Sequence, residues 1–245
     1  KDIFNKSYYF QIIKGFSQLY RKTGNLSLYN YYSNESLELA KEIYGKKSLQ
    51  YVVELSNIAT ANYEVFKYNE SLKYCNEAIN IYKKLKLKQY YLFVSILNTQ
   101  SLNYQELGNL KKAEIIINQA FNFISSDPIV ARVTRGLIYR NLGMLYYLKK
   151  DYKNSISNYR LAIENLKGSY SKTSLEIANL EFNLANSYSN NKEYDKAKEY
   201  YISSYNISFE NFKNYFYLMS NSEKEKLMDI NLTPILTSLN SFGFK

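Results

Sequence analysis

Histidine is absent from the 245-residue chain, cysteine occurs once, proline twice and glycine eight times. Without histidine there is no Ser-His or Cys-His nucleophile pair and no imidazole to hold a metal. One cysteine cannot form an internal disulfide, and with no histidine beside it cannot build a structural zinc site. The glycines are isolated, so no glycine-rich phosphate loop forms. No apolar run reaches the ~18 residues that a membrane span needs, and no secretory leader pattern opens the chain. Carboxylate pairs such as Glu35/Glu38 and Glu223/Glu225 fall on expected surface helices and read as solvated charge. The residues therefore predict no catalytic site, no metal and no cofactor. Scarce proline and glycine suit near-continuous helix.

What is present is a pattern repeating every 42 residues. One column of small residues reads Ala59, Ser101, Gly143, Ala185; a second reads Ser71, Ala113, Ser155, Ala197; a third reads Ala78, Ala120, Ala162, Ser204. Around them large apolar residues recur three or four apart. In the third copy these are Tyr139, Leu142 and Tyr146 before a polar turn, then Tyr152, Ile156, Tyr159 and Ile163 after it. That spacing makes two amphipathic helices per copy. The small columns mark where the two helices cross, since only short side chains allow close approach. The column Tyr68, Leu110, Tyr152, Tyr194 is expected to fold over each turn and seal the pair. Cys75 shares an apolar column with Ile117, Tyr159 and Tyr201, so it reads as a buried structural thiol in a reducing cytoplasm. A fixed period of this size marks stacked repeats rather than one globular core.

These columns resemble the tetratricopeptide repeat (TPR), best over residues 139–164 and 181–205 and in all over about 51–210. The resemblance departs in two ways. Of the glycines that commonly open the turn only Gly108 remains, Phe66, Lys150 and Lys192 standing at the other positions. The period exceeds the family's typical ~34 residues, so each helix is expected to be about one turn longer. The resemblance implies an all-α, right-handed superhelix (an α-solenoid) of about five helix pairs with C-terminal capping helices.

Residues 1–50 read as a degenerate first pair. A helix near Asp2–Arg21 places Ser17 and Tyr20 in phase with later columns. A loop "KTGNLSLYN" follows, then a second helix ending at "ELAKEIY". Ala40 lies 38 residues before Ala78 instead of 42, which predicts an inserted loop and a shortened link. Residues 51–210 hold four repeats, with Asp127 as helix cap and Pro128 as first helical residue between the second and third. Residues 211–245 read as a capping or linking segment. A capping box is expected at Ser220 and Glu223, a helix to about Asp229 and a break near Pro234. The first residue is Lys and "SFGFK" shows no natural stop, so the chain is expected to be part of a longer polypeptide.

With catalysis disfavoured, binding remains. First helices of stacked pairs line a concave surface, and the residues expected there are Asn57, Thr60, Tyr63, Asn98, Gln105, Arg140, Asn141, Met144, Tyr147, Phe182, Asn183, Asn186 and Asn190. Each amide offers donors and an acceptor and can hold an extended peptide by its backbone. Phe182, Met144 and Tyr147 would add apolar contacts, and Arg140 a site for a carboxylate. The bland alternative is a purely scaffolding groove in a chain rich in Asn, Lys, Tyr and Ile throughout. The net charge of +10 and the 28 tyrosines raise nucleic acid as a partner. The lysines, however, scatter over outer positions and turns, and the tyrosines fall in packing columns. The dense run Lys83–Lys88 ends a helix, where cations favour the dipole. The charge reads as solvated.

The tail carries a second resemblance. Phe216, Leu218, Ser222, Glu223, Lys224 and then Asn240, Ser241, Phe242 resemble the segment joining long-period tetratricopeptide arrays to a bacterial CHAT-type, caspase-like protease. That resemblance implies a cytoplasmic sensor or restraining arm in bacterial defence, with an effector domain attached at the C-terminus. The alternatives are a stand-alone adaptor and a regulator of the peptide-pheromone type.

Overall fold

A computed structural model describes residues 2–124, 128–170, 174–215, 221, 224–225 and 228–241. Its α-helices are α1 (Asp2–Lys22), α2 (Leu26–Tyr44), α3 (Leu49–Glu64), α4 (Tyr68–Lys84), α5 (Tyr90–Glu106), α6 (Leu110–Ala120), α7 (Pro128–Leu148), α8 (Tyr152–Leu166), α9 (Leu175–Asn190), α10 (Tyr194–Tyr215) and α11 (Thr233–Ser241). Among the described residues there is no strand, only an isolated bridge between Lys167 and Tyr170. The chain divides into two compact units, Lys1–Ser125 and Ser126–Lys245. In the first, hairpins α1–α2, α3–α4 and α5–α6 stack in order, α2 meeting α3 and α4 meeting α5. In the second, hairpin α7–α8 stacks on α9–α10 through α8 and α9, and α11 packs on α10.

Every residue of the three small columns is buried. The second reason for their composition is polar. Where one member of a crossing pair is serine, its hydroxyl donates to the backbone carbonyl of the other: Ser71 to Ala59 at 2.7 Å, Ser101 to Ala113 at 2.9 Å, Ser155 to Gly143 at 2.8 Å. The crossing thus needs a side chain that is short and, if polar, self-satisfying. At Gly143 it admits no side chain at all, since a Cβ there would lie 2.8 Å from the Tyr159 ring.

The turns explain the phase. Gly24, Phe66, Gly108, Lys150 and Lys192, each 42 residues apart, adopt φ of 71°, 63°, 75°, 61° and 65°. This left-handed residue reverses the chain, and the next helices start at Leu26, Tyr68, Leu110, Tyr152 and Tyr194 in the same register. Glycine at Lys150 or Lys192 should therefore stabilise. Relief of left-handed strain outweighs the entropy of a more flexible unfolded chain, leaving a gain of about 0.5–1 kcal/mol each. Urea unfolding of Lys150→Gly and Lys192→Gly checks the sign.

The first pair corrects the sequence reading. The expected long loop is only Thr23–Asn25, because the Asn25 side chain accepts the Leu28 N–H and starts α2 at Leu26. No residues are inserted. Ser36, not Ala40, occupies the third small column and is buried; Tyr29 fills the second, its hydroxyl donating to the Asn57 carbonyl at 3.4 Å. At the other end Pro234 does not break a helix. It lies in the first turn of α11, where its missing N–H costs nothing, directly after a π-helical segment Met228–Leu232. Ile235 of α11 is buried in the second unit's core with Tyr188 and Tyr201. Asp127, Ser220, Glu223 and most of the tail resemblance (Phe216, Leu218, Ser222, Phe242) lie outside the described residues.

Candidate functional site

In the first unit the expected site residues lie on α3 and α5. The Asn57 amide donates to Glu54 at 2.9 Å. Thr60 donates to the Ser56 carbonyl at 3.0 Å and approaches the Thr99 hydroxyl at 3.4 Å, linking the two first helices. The Tyr63 hydroxyl reaches Glu106 at 3.5 Å, as does Tyr68, and the two rings lie 5.8 Å apart. Asn98 is half-buried. Gln105 does not line an open face: it is 4% exposed, and neither amide atom has a hydrogen-bond partner among the described residues.

In the second unit α9 carries Phe182, Asn183, Asn186 and Asn190, and α7 carries Met144 and Tyr147, of which Tyr147 meets Asn190. Asn141 departs from expectation. It is 3% exposed, its Oδ1 accepting from Arg140 Nε at 3.4 Å, so packing withdraws it from any ligand. Two of the α9 amides are oriented by tyrosines. The Tyr201 hydroxyl donates to Asn186 Oδ1 at 2.6 Å, which turns the Asn186 NH₂ outward. Burial raises the Tyr201 phenol above its usual range, so it remains a donor at physiological pH. Asn190 Nδ2 donates to the Tyr147 hydroxyl at 3.2 Å and to the Asn186 carbonyl at 2.9 Å, leaving its Oδ1 as an acceptor. Asn183 is half-buried with its side-chain amide unengaged among the described residues. Phe182 packs on Tyr201, rings 5.7 Å apart, and Met144 is exposed.

Successive first helices are tied by one recurring contact between residues 43 apart: Arg21–Glu64 at 3.3 Å, Tyr63–Glu106 at 3.5 Å and Tyr147–Asn190 at 3.2 Å. Tyr201 and Glu54 were the residues the pattern hid. Tyr201 sits in an apolar column and reads as core, though its hydroxyl serves the face. Glu54 occupies a column otherwise Ile96, Ile138 and Leu180, and that charge among aliphatics was a legible signal.

Among the described residues no three histidine, cysteine or acidic side chains cluster to hold a metal, and no helix is long and apolar enough to cross a membrane. Burial pushes the Cys75 thiol up to about 12, which removes the thiolate a nucleophile requires. Of the second-unit site residues Asn190 and Met144 are exposed, and Asn183, Asn186, Phe182 and Tyr147 are half-buried.

The architecture is that of an all-α protein of stacked helical hairpins. A family model described as tetratricopeptide repeat matches residues 134–208 and a second of the same description residues 55–85, and these stretches are tetratricopeptide repeats. Solved structures share the fold. BtubC (BKLC) from P. vanneervenii is 17% identical, matching over 80% of this chain and 78% of its own, with a TM-score of 0.63. A Rap protein complexed with competence and sporulation factor is 16% identical over 92% of this chain and 65% of its own, TM-score 0.70. The Rap conjugation gene regulator of plasmid pLS20, in complex with the Phr* peptide, is 15% identical over 97% and 63%, TM-score 0.71. The chain thus spans a little under two thirds of the two Rap chains. Comparison with curated protein sequences finds no match.

Proposed function

We propose that this chain is a non-catalytic receptor for a protein segment, and that the α7–α9 side of the second unit holds an extended peptide by its backbone. The observation that carries this reading is the trio Asn183, Asn186 and Asn190, three and four residues apart on α9. Asn186 is turned to donate, Asn190 to accept, and Asn183 can do either. Such amides satisfy peptide N–H and C=O groups whatever the side chains. Phe182, Met144 and Tyr147 add apolar contact, and Arg140 a place for a carboxylate. Thr60, Tyr63, Asn57 and Asn98 offer the first unit a comparable surface.

Fluorescence polarisation against a panel of short unstructured peptides tests the reading. Each lost amide bond is worth about 1 kcal/mol, so Asn183→Ala/Asn186→Ala should weaken the best binder by roughly 25-fold with helicity unchanged. Undiminished affinity would remove the amides from the site.

The finer setting rests on sequence resemblance alone. The residues Phe216, Leu218, Ser222, Glu223, Lys224 and Asn240–Phe242 support a cytoplasmic sensor arm of a larger CHAT-type protease in bacterial defence. The second reading is a stand-alone peptide-responsive regulator, favoured by the likeness over more than nine-tenths of this chain to two Rap proteins, one of them in complex with the Phr* peptide. Coding sequence beyond Lys245 bearing a protease with its own histidine and cysteine would select the first.

A further inference from the structure

The hairpins of the first unit present two opposite edges, one made of the turns within hairpins and one of the links between them. The links are residues 45–48, from α2 to α3, and 85–89, from α4 to α5. They share an edge, because Tyr51 in the first turn of α3 donates to Glu77 near the end of α4 at 3.1 Å. The sequence expectation of dispersed charge describes the turn edge. There Arg21, Lys67, Lys111 and Lys112 mix with Glu64, Glu70 and Glu106, and Arg21 pairs with Glu64. The link edge departs from it. Lys46, Lys47, Lys83, Lys84, Lys86 and Lys88 are all exposed, and no acid occurs in residues 43–53 or 78–105. The acids just outside are engaged, Glu42 by Lys6 and Glu77 by Tyr51. None of the six lysines has an ion-pair partner among the described residues.

Helix ends do not account for this segregation. Only Lys83 and Lys84 lie in the last turn of α4, where the dipole favours them; Lys46, Lys47, Lys86 and Lys88 stand in the links. Lys86 holds a left-handed φ of 51°, a conformation that the preceding link gives to Gly45 at 76°. Beside these cations Tyr90 and Tyr91 open α5 with 45% and 60% of their surface exposed. Gln89 gives that helix no side-chain cap and its first turn holds no acid, so its N–H groups add to the positive potential. A ligand bearing a row of phosphates would relieve the mutual repulsion of the lysines, and the rings are flat faces on which bases stack. A bilayer surface calls for aliphatic side chains to insert, and Leu85 is the one exposed aliphatic residue of these links. An acidic peptide would use the lysines and leave the rings idle.

We propose that the link edge of the first unit binds single-stranded nucleic acid, its lysines along the phosphates and Tyr90 and Tyr91 against the bases. Fluorescence polarisation of the whole chain with labelled oligothymidylate tests this. Six phosphate contacts give a log–log salt slope of about −4, a loss of roughly 300-fold in affinity between about 50 and 200 mM salt. Lys46→Gln/Lys47→Gln/Lys86→Gln/Lys88→Gln should flatten that slope by about 3 with circular dichroism unchanged. Removing as many exposed cations elsewhere in the unit, as Lys67→Gln/Lys73→Gln/Lys111→Gln/Lys112→Gln, should leave the slope within about 1 of the parent's. Tyr90→Ala/Tyr91→Ala should weaken oligothymidylate about fivefold or more and leave inorganic polyphosphate, which has no bases, bound as before. No binding, a flat salt dependence, equal effects from the two lysine sets, or tyrosine variants indistinguishable from the parent would each overturn the proposal. So would tighter binding to polyglutamate or to vesicles of phosphatidylserine and phosphatidylcholine. None of these substitutions touches α7 or α9, so the peptide site stands or falls separately.

Discussion

Leucine in place of Gly143 is expected to destabilise the second unit by about 3 kcal/mol, and alanine by about 1–2 kcal/mol even though alanine is the better helix former. A Cβ at residue 143 would lie 2.8 Å from Cγ and Cδ1 of Tyr159 and 2.9 Å from Cε1. The ring cannot retreat cheaply, because it is wholly buried among Ile156, Ala162, Ile163 and Leu184. The backbone cannot move cheaply either, since the Gly143 carbonyl accepts the buried Ser155 hydroxyl at 2.8 Å and that hydroxyl also meets Ser187. A double-mutant cycle in urea isolates the contact. Gly143→Ala with Tyr159→Leu should be less destabilised than the sum of the singles by about 1 kcal/mol or more. Strict additivity would mean that the ring does not limit the approach.

Alanine at Glu54 should cost the first unit about 2–4 kcal/mol. The side chain is 2% exposed and joins three helices: Oε2 accepts from Ser36 of α2 and Asn57 of α3, both at 2.9 Å. Oε1 makes no hydrogen bond but faces the Lys14 ammonium of α1 at 3.2 Å as an ion pair. Truncation strands a cation at the stacking interface and a buried hydroxyl. Lys14 retains some solvent, so the loss sits below the full cost of breaking a dry pair. The related columns use Ile96, Ile138 and Leu180 at this position, which provides a second arm. Lys14→Met/Ser36→Ala/Glu54→Ile, replacing the network by aliphatic packing, should recover to within about 1 kcal/mol of the parent. If the triple variant stays as unstable as Glu54→Ala, the network does more than fill and satisfy the interface.

Periodicity carried most of the architecture because its physical cause is local. Short residues are tolerated wherever helices cross and large ones wherever they face a core, so a 42-residue phase among Ala59, Ser101, Gly143 and Ala185 is readable without coordinates. The same logic missed the phase of the first hairpin. There Tyr29 replaces a small residue and the serine at 36 is less conspicuous than Ala40, while the left-handed Gly24 and the Asn25 cap that restore register are only two residues long.

The binding face was legible as a list of positions but not as a surface. Which helix side is first, which residues recur and that no histidine chemistry is possible all follow from residue order and composition. That Asn141 and Gln105 are covered, and that Tyr201 aims Asn186 and Tyr147 holds Asn190, were decided only by the tertiary structure. Burial and hydrogen-bond direction depend on neighbours brought from other helices, between 15 and 43 residues away for these amides, and no single helix's pattern contains them.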